Sequence, residues 1–329
     1  MTEISVVTKR LLTLGMLKGV GPSALKKVAG IIDFEVLPIE QLATHLPALS
    51  KALQAQDAWD KATEEAQVQI EQALSHGARI ISPLDKGYPP LLAKTKDDPF
   101  VIFVKGELSA TPIKSVAIIG TREPTMHGIV ITQRMTEYFV SEGWSIVSGL
   151  ALGCDAVAHQ AALDAGGHTV AVLAHGLQTI APSKHRKLAD DILHSGGALI
   201  SEFRFGQGAL PQQFVKRDRT QAGMSQGVVM IQSDLKGGSL HASRAALDYE
   251  RWLAVPSPTQ LDRKNLEPKI QANLMLAEGL VSEKLNLLRC TSKALDGLLV
   301  LQSRDDYPLM TERKNRCEPE SGQQSESLL

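Results

Sequence analysis

Five stretches of this chain carry residue types that bind phosphate, and each follows a short apolar run. The densest is Ser148-Gly149-Leu150-Ala151-Leu152-Gly153-Cys154-Asp155, closed by His159. It follows the apolar segment Trp144 to Val147 and opens a segment with helical spacing. A strand that turns through Ser-Gly into a helix presents unpaired amides at the positive end of the helix dipole, a seat for an anion. Asp155 falls in the first turn of that helix, and His159 follows four residues later on the same face. An Asp–His dyad could serve catalysis, but no nucleophile stands nearby. The pair reads better as a hydrogen-bonded unit that shapes the loop.

The other four stretches repeat the theme. Gly120-Thr121-Arg122 offers a close backbone approach, a hydroxyl and a guanidinium that forks onto phosphate. It is not a dinucleotide fingerprint, because the next glycine is Gly128, beyond a proline-containing loop. Ala174-His175-Gly176-Leu177 leads through Pro182 into Lys184-His185-Arg186-Lys187, either a solvated helix face or a ligand contact. Phe214-Val215-Lys216-Arg217-Asp218-Arg219 combines three cations with an aromatic ring, as a phosphate clamp with a stacking platform would. The alternative is a capped helix in which Arg217, Asp218 and Arg219 neutralise one another. Last comes Gly237-Gly238-Ser239-Leu240-His241-Ala242, a third glycine-hydroxyl helix start.

Positioning these stretches requires a parallel sheet. From Ser115 onward, apolar runs alternate with amphipathic helical segments: Val116–Ile119, Ser145–Ser148, Thr169–Leu173, Ala198–Ser201, Gly227–Ile231 and Trp252–Val255. Each run lacks polar alternation, as strands covered on both faces do. This rhythm predicts an α/β, Rossmann-like doubly wound fold whose ligands sit outside the carboxyl ends of the strands. Ile80–Ser82 and Phe100–Val104 read as two further strands, and Lys269–Glu278 as a helix. Residues 1–76 read as a small helical domain. Within it, Gly19-Val20-Gly21-Pro22 resembles the turn of a helix-hairpin-helix, which either packs internally or presents amides to DNA. Residues 77–284 form the expected Rossmann domain. Residues 285–329 are expected to add one helix over Leu285–Leu301 and then a polar, disordered tail.

Of the 329 residues, 43% are hydrophobic and 22% charged, with a net charge of −1, so a globally basic nucleic-acid binder is excluded and any basic patch is local. Cys154, Cys290 and Cys317 lie far apart without metal-binding spacing. They read as free thiols in a reducing compartment, with no metal and no cofactor expected. No secretory pattern or membrane-spanning run is present, which predicts a cytoplasmic protein without membrane attachment.

Taken in order, these residues resemble the DNA-processing protein A family, also called DprA or Smf. The resemblance covers residues 80–281. It runs from Tyr88-Pro89 and Lys105-Gly106 through Val116–Arg122, Ser148–His159 and Ala171-Val172-Leu173. It continues through Ser201-Glu202, Phe214 with Arg217 and Arg219, Ala222-Gly223-Met224-Ser225, Gly238-Ser239-Leu240 and Ala254-Val255-Pro256. The resemblance implies an extended Rossmann fold that binds single-stranded DNA without catalysis and forms homodimers. It also implies loading of a RecA-type recombinase onto DNA during uptake and competence. On that reading the phosphate-binding residues are Gly120, Thr121, Arg122, Ser148, Gly149, Lys184, Phe214, Lys216, Arg217, Arg219, Gly238 and Ser239, while Asp155 and His159 shape the loop.

Three departures mark a divergent member. Asp218 stands where the family has Asn and places a negative charge in the expected groove. Ala181-Pro182 and His185 replace a Tyr-Pro and an Asn, and only 45 residues follow Lys284, too few for the winged helix of many members. Two other readings remain for the same seats. A nucleotide sensor would use the same amides. A nucleotide hydrolase would need a glutamate near Arg244, where none stands.

Overall fold

A computed structural model of the chain describes residues 4–109 and 113–313. Residues 4–76 form five helices: α1 (Val6–Met16), α2 (Pro22–Val28), α3 (Ile39–Thr44), α4 (Pro47–Ala52) and α5 (Ala58–Ser75). Ser5 caps α1 through Thr8 N, and Pro22 opens α2 at the position where its missing N–H costs nothing. Leu17, Val20, Leu25 and Val28 are buried around the Gly19–Pro22 turn, so the hairpin packs inward. Leu12, Ala66, Ile70 and Ala73 join this layer to the sheet below, packing with Ala78, Phe103 and Phe205.

Among the described residues the sheet has nine strands. Its antiparallel edge is β1 (Ala78–Ile81) and β2 (Ile102–Gly106), separated by the short α6 (Pro90–Ala93). The alternating part follows as β3 (Ser115–Ile119), α7 (Met126–Ser141), β4 (Ser145–Ser148), α8 (Cys154–Asp164), β5 (Thr169–Leu173), α9 (Arg186–His194) and β6 (Ala198–Ser201). The chain then returns through α10 (Pro211–Gly223) to β7 (Gly227–Met230), α11 (Ser239–Asp248) and β8 (Trp252–Pro256). With β9 (Leu298–Leu301) at the far edge, strand order is β1-β2-β6-β5-β4-β3-β7-β8-β9. Strands β3 to β9 all pair in parallel. Every residue of β3 through β8 is buried, which is why those runs lack polar alternation.

Beyond β8, the chain forms α12 (Gln260–Lys264), α13 (Gln271–Glu278), α14 (Val281–Leu288) and α15 (Ser292–Leu295). It then forms a strand where the spacing predicted continued helix. Leu298–Leu301 is β9, paired in parallel with β8 from Leu253↔Leu298 to Pro256↔Leu301. The sheet therefore continues past residue 284. Leu298-Leu299-Val300-Leu301 is a four-residue apolar run of the same kind as its neighbours, and β8 offers it an open edge. A 3₁₀ turn at Arg304–Asp306 and α16 (Pro308–Thr311) follow, with Met310 buried, so order extends past Ser303. The expected disordered stretch Ser321–Ser325 lies outside the described residues. No helix among the described residues is long and apolar enough to cross a membrane.

Candidate phosphate-binding cleft

The chain leaves β3 toward β4 on one side and returns to β7 on the other, so the sheet has its topological switch point between β3 and β7. Diverging connections open a crevice there, at the carboxyl ends of the strands. A cleft of about 430 Å³ lies at that point. Ile119 to Glu123 come to it from the end of β3, Ala151 and Asp155 from the β4 connection, and Ser233 to Ser239 from the end of β7. Helix α10 closes the side with Phe214, Arg217, Asp218 and Gln221.

Arg122 is the exposed cation of this cleft. Its guanidinium lies 5.6 Å from the centroid of Phe214, and that of Arg217 lies 5.7 Å from the same ring. Arg122 has no ion pair or hydrogen bond to other described residues. In the same cleft Gly238 and Ser239 head α11, and their backbone amides have no acceptor among the described residues. Ser239 Oγ donates to Ser233 Oγ at 2.8 Å. Thr121 Oγ1 caps the Glu123 amide at 3.2 Å, and the Thr121 amide is spent on Gln232 O at 2.8 Å. Lys269 on the rim lies 3.3 Å from Asp234 and 3.7 Å from Glu123.

The seat after β4 is already filled. The Asp155 carboxylate accepts from the Gly149 amide at 3.1 Å and from the Ala151 amide, and Ser148 Oγ donates to Ile118 O at 2.6 Å. Arg217 NH1 donates to Gly149 O at 2.6 Å and stands 3.8 Å from Asp155 Oδ2. A Cβ on Gly149 would collide with that guanidinium. The glycine therefore admits an internal arginine, not a ligand, and neither Ser148 nor Gly149 lines the cleft. Asp155 and His159 do not act as one unit. Asp155 binds the loop, whereas His159 Nδ1 pairs with Thr169 Oγ1 at 2.7 Å on β5. Burial, aided by the His185 and Arg217 charges, pushes the His159 pKa down to about 3, which fixes a neutral ring.

Helix α10 divides its cations. Residues 214, 217, 218 and 221 recur at helical spacing on one face, and these are the four that line the cleft. Lys216 and Arg219 point elsewhere: Arg219 pairs with Asp97 at 3.3 Å, and Lys216 faces the half-buried Glu202. Lys184 is exposed on a 3₁₀ turn outside the cleft. Its neighbour His185 touches the β4 connection through Nδ1 and Leu150 O at 2.8 Å. Arg217 lines the cleft but is 5% exposed and committed to internal partners, with Nε donating to Asp218 Oδ1 at 3.0 Å. One guanidinium thus serves two buried carboxylates. Burial raises the pKa of both, against the pull of Arg217, and brings Asp218 to about 6.

Three polar residues escaped the sequence reading although they set the loops. Asn273 on α13 accepts from Ser233 N at 3.0 Å and donates to Ile231 O at 2.7 Å, pinning the end of β7. Gln232 accepts from Thr125 N at 3.0 Å and so orients the start of α7. Asp262 accepts from Thr125 Oγ1 and His127. Asn273 gave one signal, a lone amide in the apolar segment Ala272–Ala277; Gln232 and Asp262 gave none. Among the described residues no group of three or more His, Cys, Asp or Glu could hold a metal ion.

The same architecture recurs in known proteins. Residues 79–279 match the family DNA recombination-mediator protein A. Protein Smf of Escherichia coli K12 is 39% identical over 199 residues, 60% of this chain and 52% of that protein. DNA processing protein DprA of Bacillus subtilis is 36% identical over 182 residues, 55% of this chain and 61% of that protein. This chain thus spans about half the length of the curated relatives it matches. The crystal structure of DprA from Streptococcus pneumoniae superposes over 94% of this chain and 98% of its own, with a TM-score of 0.64 at 25% identity. DNA processing protein A from Helicobacter pylori, described for its single-stranded DNA binding mode, covers 64% of this chain and 94% of its own (TM-score 0.52, 28% identity). With its family match running over more than half its length, the chain belongs to the DNA recombination-mediator protein A family.

Proposed function

We propose that this protein is a recombination mediator that holds single-stranded DNA by its backbone in the β3/β7 cleft, without catalysis. One observation carries the reading. The unpaired Arg122 guanidinium lies over Phe214 at 5.6 Å, in the same cleft as the open amides of Gly238 and Ser239. A cation and an amide-bearing helix start suit a phosphate, and the half-buried ring suits a stacked base. The two deep carboxylates, Asp155 and Asp218, are engaged with Arg217, which fits binding better than proton transfer. Single-stranded DNA binding in the Helicobacter pylori relative supports the ligand class. A RecA-type recombinase is the partner proposed for the DNA-bound form.

Self-association belongs to the same proposal. Leu261, Leu266, Leu280 and Val281 are each more than half exposed, within one stretch of the chain. Exposed large apolar side chains suit an interaction surface, and a second copy of this chain is the proposed occupant.

A nucleotide sensor is the second reading, and the charge balance of the cleft favours it. Arg122, Arg217 and Lys269 face Glu123, Asp155, Asp218 and Asp234, so the walls carry no cationic excess. Fluorescence anisotropy of labelled oligo(dT) at two salt concentrations, with free nucleotides as competitors, separates the two. DNA binding predicts a steep salt dependence, and Arg122→Ala lowers the slope by about one phosphate equivalent. Wild-type affinity and slope in Arg122→Ala would reject the DNA reading. A shallow slope with full competition by a mononucleotide would establish the sensor.

A further inference from the structure

A cavity of about 660 Å³ lies at the opposite end of the strands from the cleft. Trp252 opens β8 and Gly297 immediately precedes β9, so the basin sits at the amino-terminal ends of these strands, bordered by α11, α14 and α15. Six cations line it: Arg219, Arg244, Arg251, Arg289, Lys293 and Arg313. Two carboxylates accompany them, Asp248 and Glu250, and Asp248 is held by Lys96 at 2.6 Å. In a chain of net charge −1, six against two in one cavity wall is a marked local excess.

The hydrogen bonds of these side chains orient charge without cancelling it. Arg244 Nε and NH2 donate to Leu287 O at 3.1 and 2.9 Å. Arg313 donates to Asp296 O, and Arg251 NH2 to Leu91 O at 3.1 Å. Backbone carbonyls are neutral, so these bonds do not offset the guanidinium charge. Arg289 and Lys293 are exposed, and their side chains have no hydrogen bond or ion pair to other described residues. Arg219 has a carboxylate partner, Asp97 at 3.3 Å. His241 in the same wall has its pKa lowered by burial and then by the charges of Arg244, Arg289 and Arg219. Like charges held this close repel one another, and a bound anion relieves that cost.

We propose that this basin is a second anion site, separate from the β3/β7 cleft, that takes a run of adjacent phosphates. Its volume falls within the range of about 300–1,000 Å³ usual for ligand pockets. Cations on several elements match a ligand carrying several charges. Two sources share this chemistry, a nucleoside polyphosphate and the backbone of a nucleic-acid strand. The argument does not rest on what the cleft binds.

Cys290 lies in the basin wall, half-buried, and reports on it directly. In the full chain, inorganic tripolyphosphate is titrated by calorimetry, and alkylation of Cys290 is followed by peptide mass mapping. Binding is expected, with Cys290 alkylation slowed about fivefold or more. Because Arg289 and Lys293 are exposed, Arg289→Glu with Lys293→Glu leaves the fold intact and is expected to weaken binding by about tenfold or more. Arg122→Ala, which alters the cleft alone, is expected to change neither readout. Displacement of tripolyphosphate by ATP assigns the site to nucleoside polyphosphates. Displacement by oligo(dT), with a lower salt slope in the double variant, assigns it to a strand. Absence of binding, equal binding by the double variant, loss of binding in Arg122→Ala, or displacement by neither competitor overturns the proposal.

Discussion

Asp218 is a carboxylate whose charge burial in the cleft opposes, and Asp218→Asn is the substitution that reads it out. Its Oδ1 accepts from Arg217 Nε at 3.0 Å, and an asparagine oxygen can accept the same bond. The variant thus removes a charge while keeping the contact. Burial comes first in raising Asp218 to about 6, with the Asp155 charge adding to it and Arg217 opposing. The folded chain therefore holds this proton more tightly than the unfolded chain, whose carboxyl titrates near 3.8. Stability from the protonated form is complete below that value and is lost as pH rises through about 6. At about 1.4 kcal/mol per pH unit, the full loss is about 3 kcal/mol at pH 8, and about half of it has accrued by pH 5. Asp218→Asn is expected to regain it, with a gain over wild type that shrinks from pH 8 to pH 5 in urea unfolding. The same charge opposes a phosphate in the cleft. Taking a separation of about 8 Å and an effective dielectric constant of 20 to 80, the repulsion is about 0.5–2 kcal/mol. Oligo(dT) affinity at pH 7.5 should then rise by about two- to thirtyfold in the variant. Wild-type affinity should rise toward pH 5.5 as Asp218 is protonated, while the variant shows a flatter profile. A variant no more stable than wild type at pH 8 would refute the assignment of this burial cost to Asp218. Unchanged stability difference together with unchanged DNA affinity would refute the whole argument.

Two further substitutions test other parts of the account. Arg217→Ala strands two buried carboxylates and is expected to cost about 3–5 kcal/mol in urea unfolding. A loss below about 1 kcal/mol would show that Arg217 does not hold the β4 connection. Leu266→Glu with Val281→Glu places charge on the exposed apolar segment, and light scattering should show dimers for wild type and monomers for the variant. Dimers in both would move the interface elsewhere.

The sheet was legible because its strands are short apolar runs separated by helical spacing, and a doubly wound topology follows from that alternation. Strand β9 was hidden because Leu298–Leu301 follows Leu285, Leu287, Leu288 and Leu295, whose spacing continues a helix. Periodicity cannot separate a buried helix from a strand over four residues, and here the open edge of β8 decides. The seats were legible as seats, since a glycine-rich turn into a helix start always exposes amides. Their occupancy was not. Asp155 fills the one after β4 only because Arg217, distant in the chain, arrives to balance it.

Helix α10 holds the opposite lesson, because its answer was present in the spacing. A stretch with Phe214, Lys216, Arg217 and Arg219 looks like one clamp when read as composition. At about 100° per residue, Lys216 and Arg219 cannot share the face of Phe214 and Arg217. The helix therefore parts its cations between two places, Arg217 beneath the cleft and Arg219 at the border of the basic basin. The buried side shares one guanidinium between Asp155 and Asp218, whereas the basin side gathers arginines from α11 and the segments after it. A chain of net charge −1 thus holds a cleft without cationic excess and a basin with one. A polyanion that touches both must cross α10 and α11, and its affinity would depend on Arg289 and Lys293 as well as on Arg122.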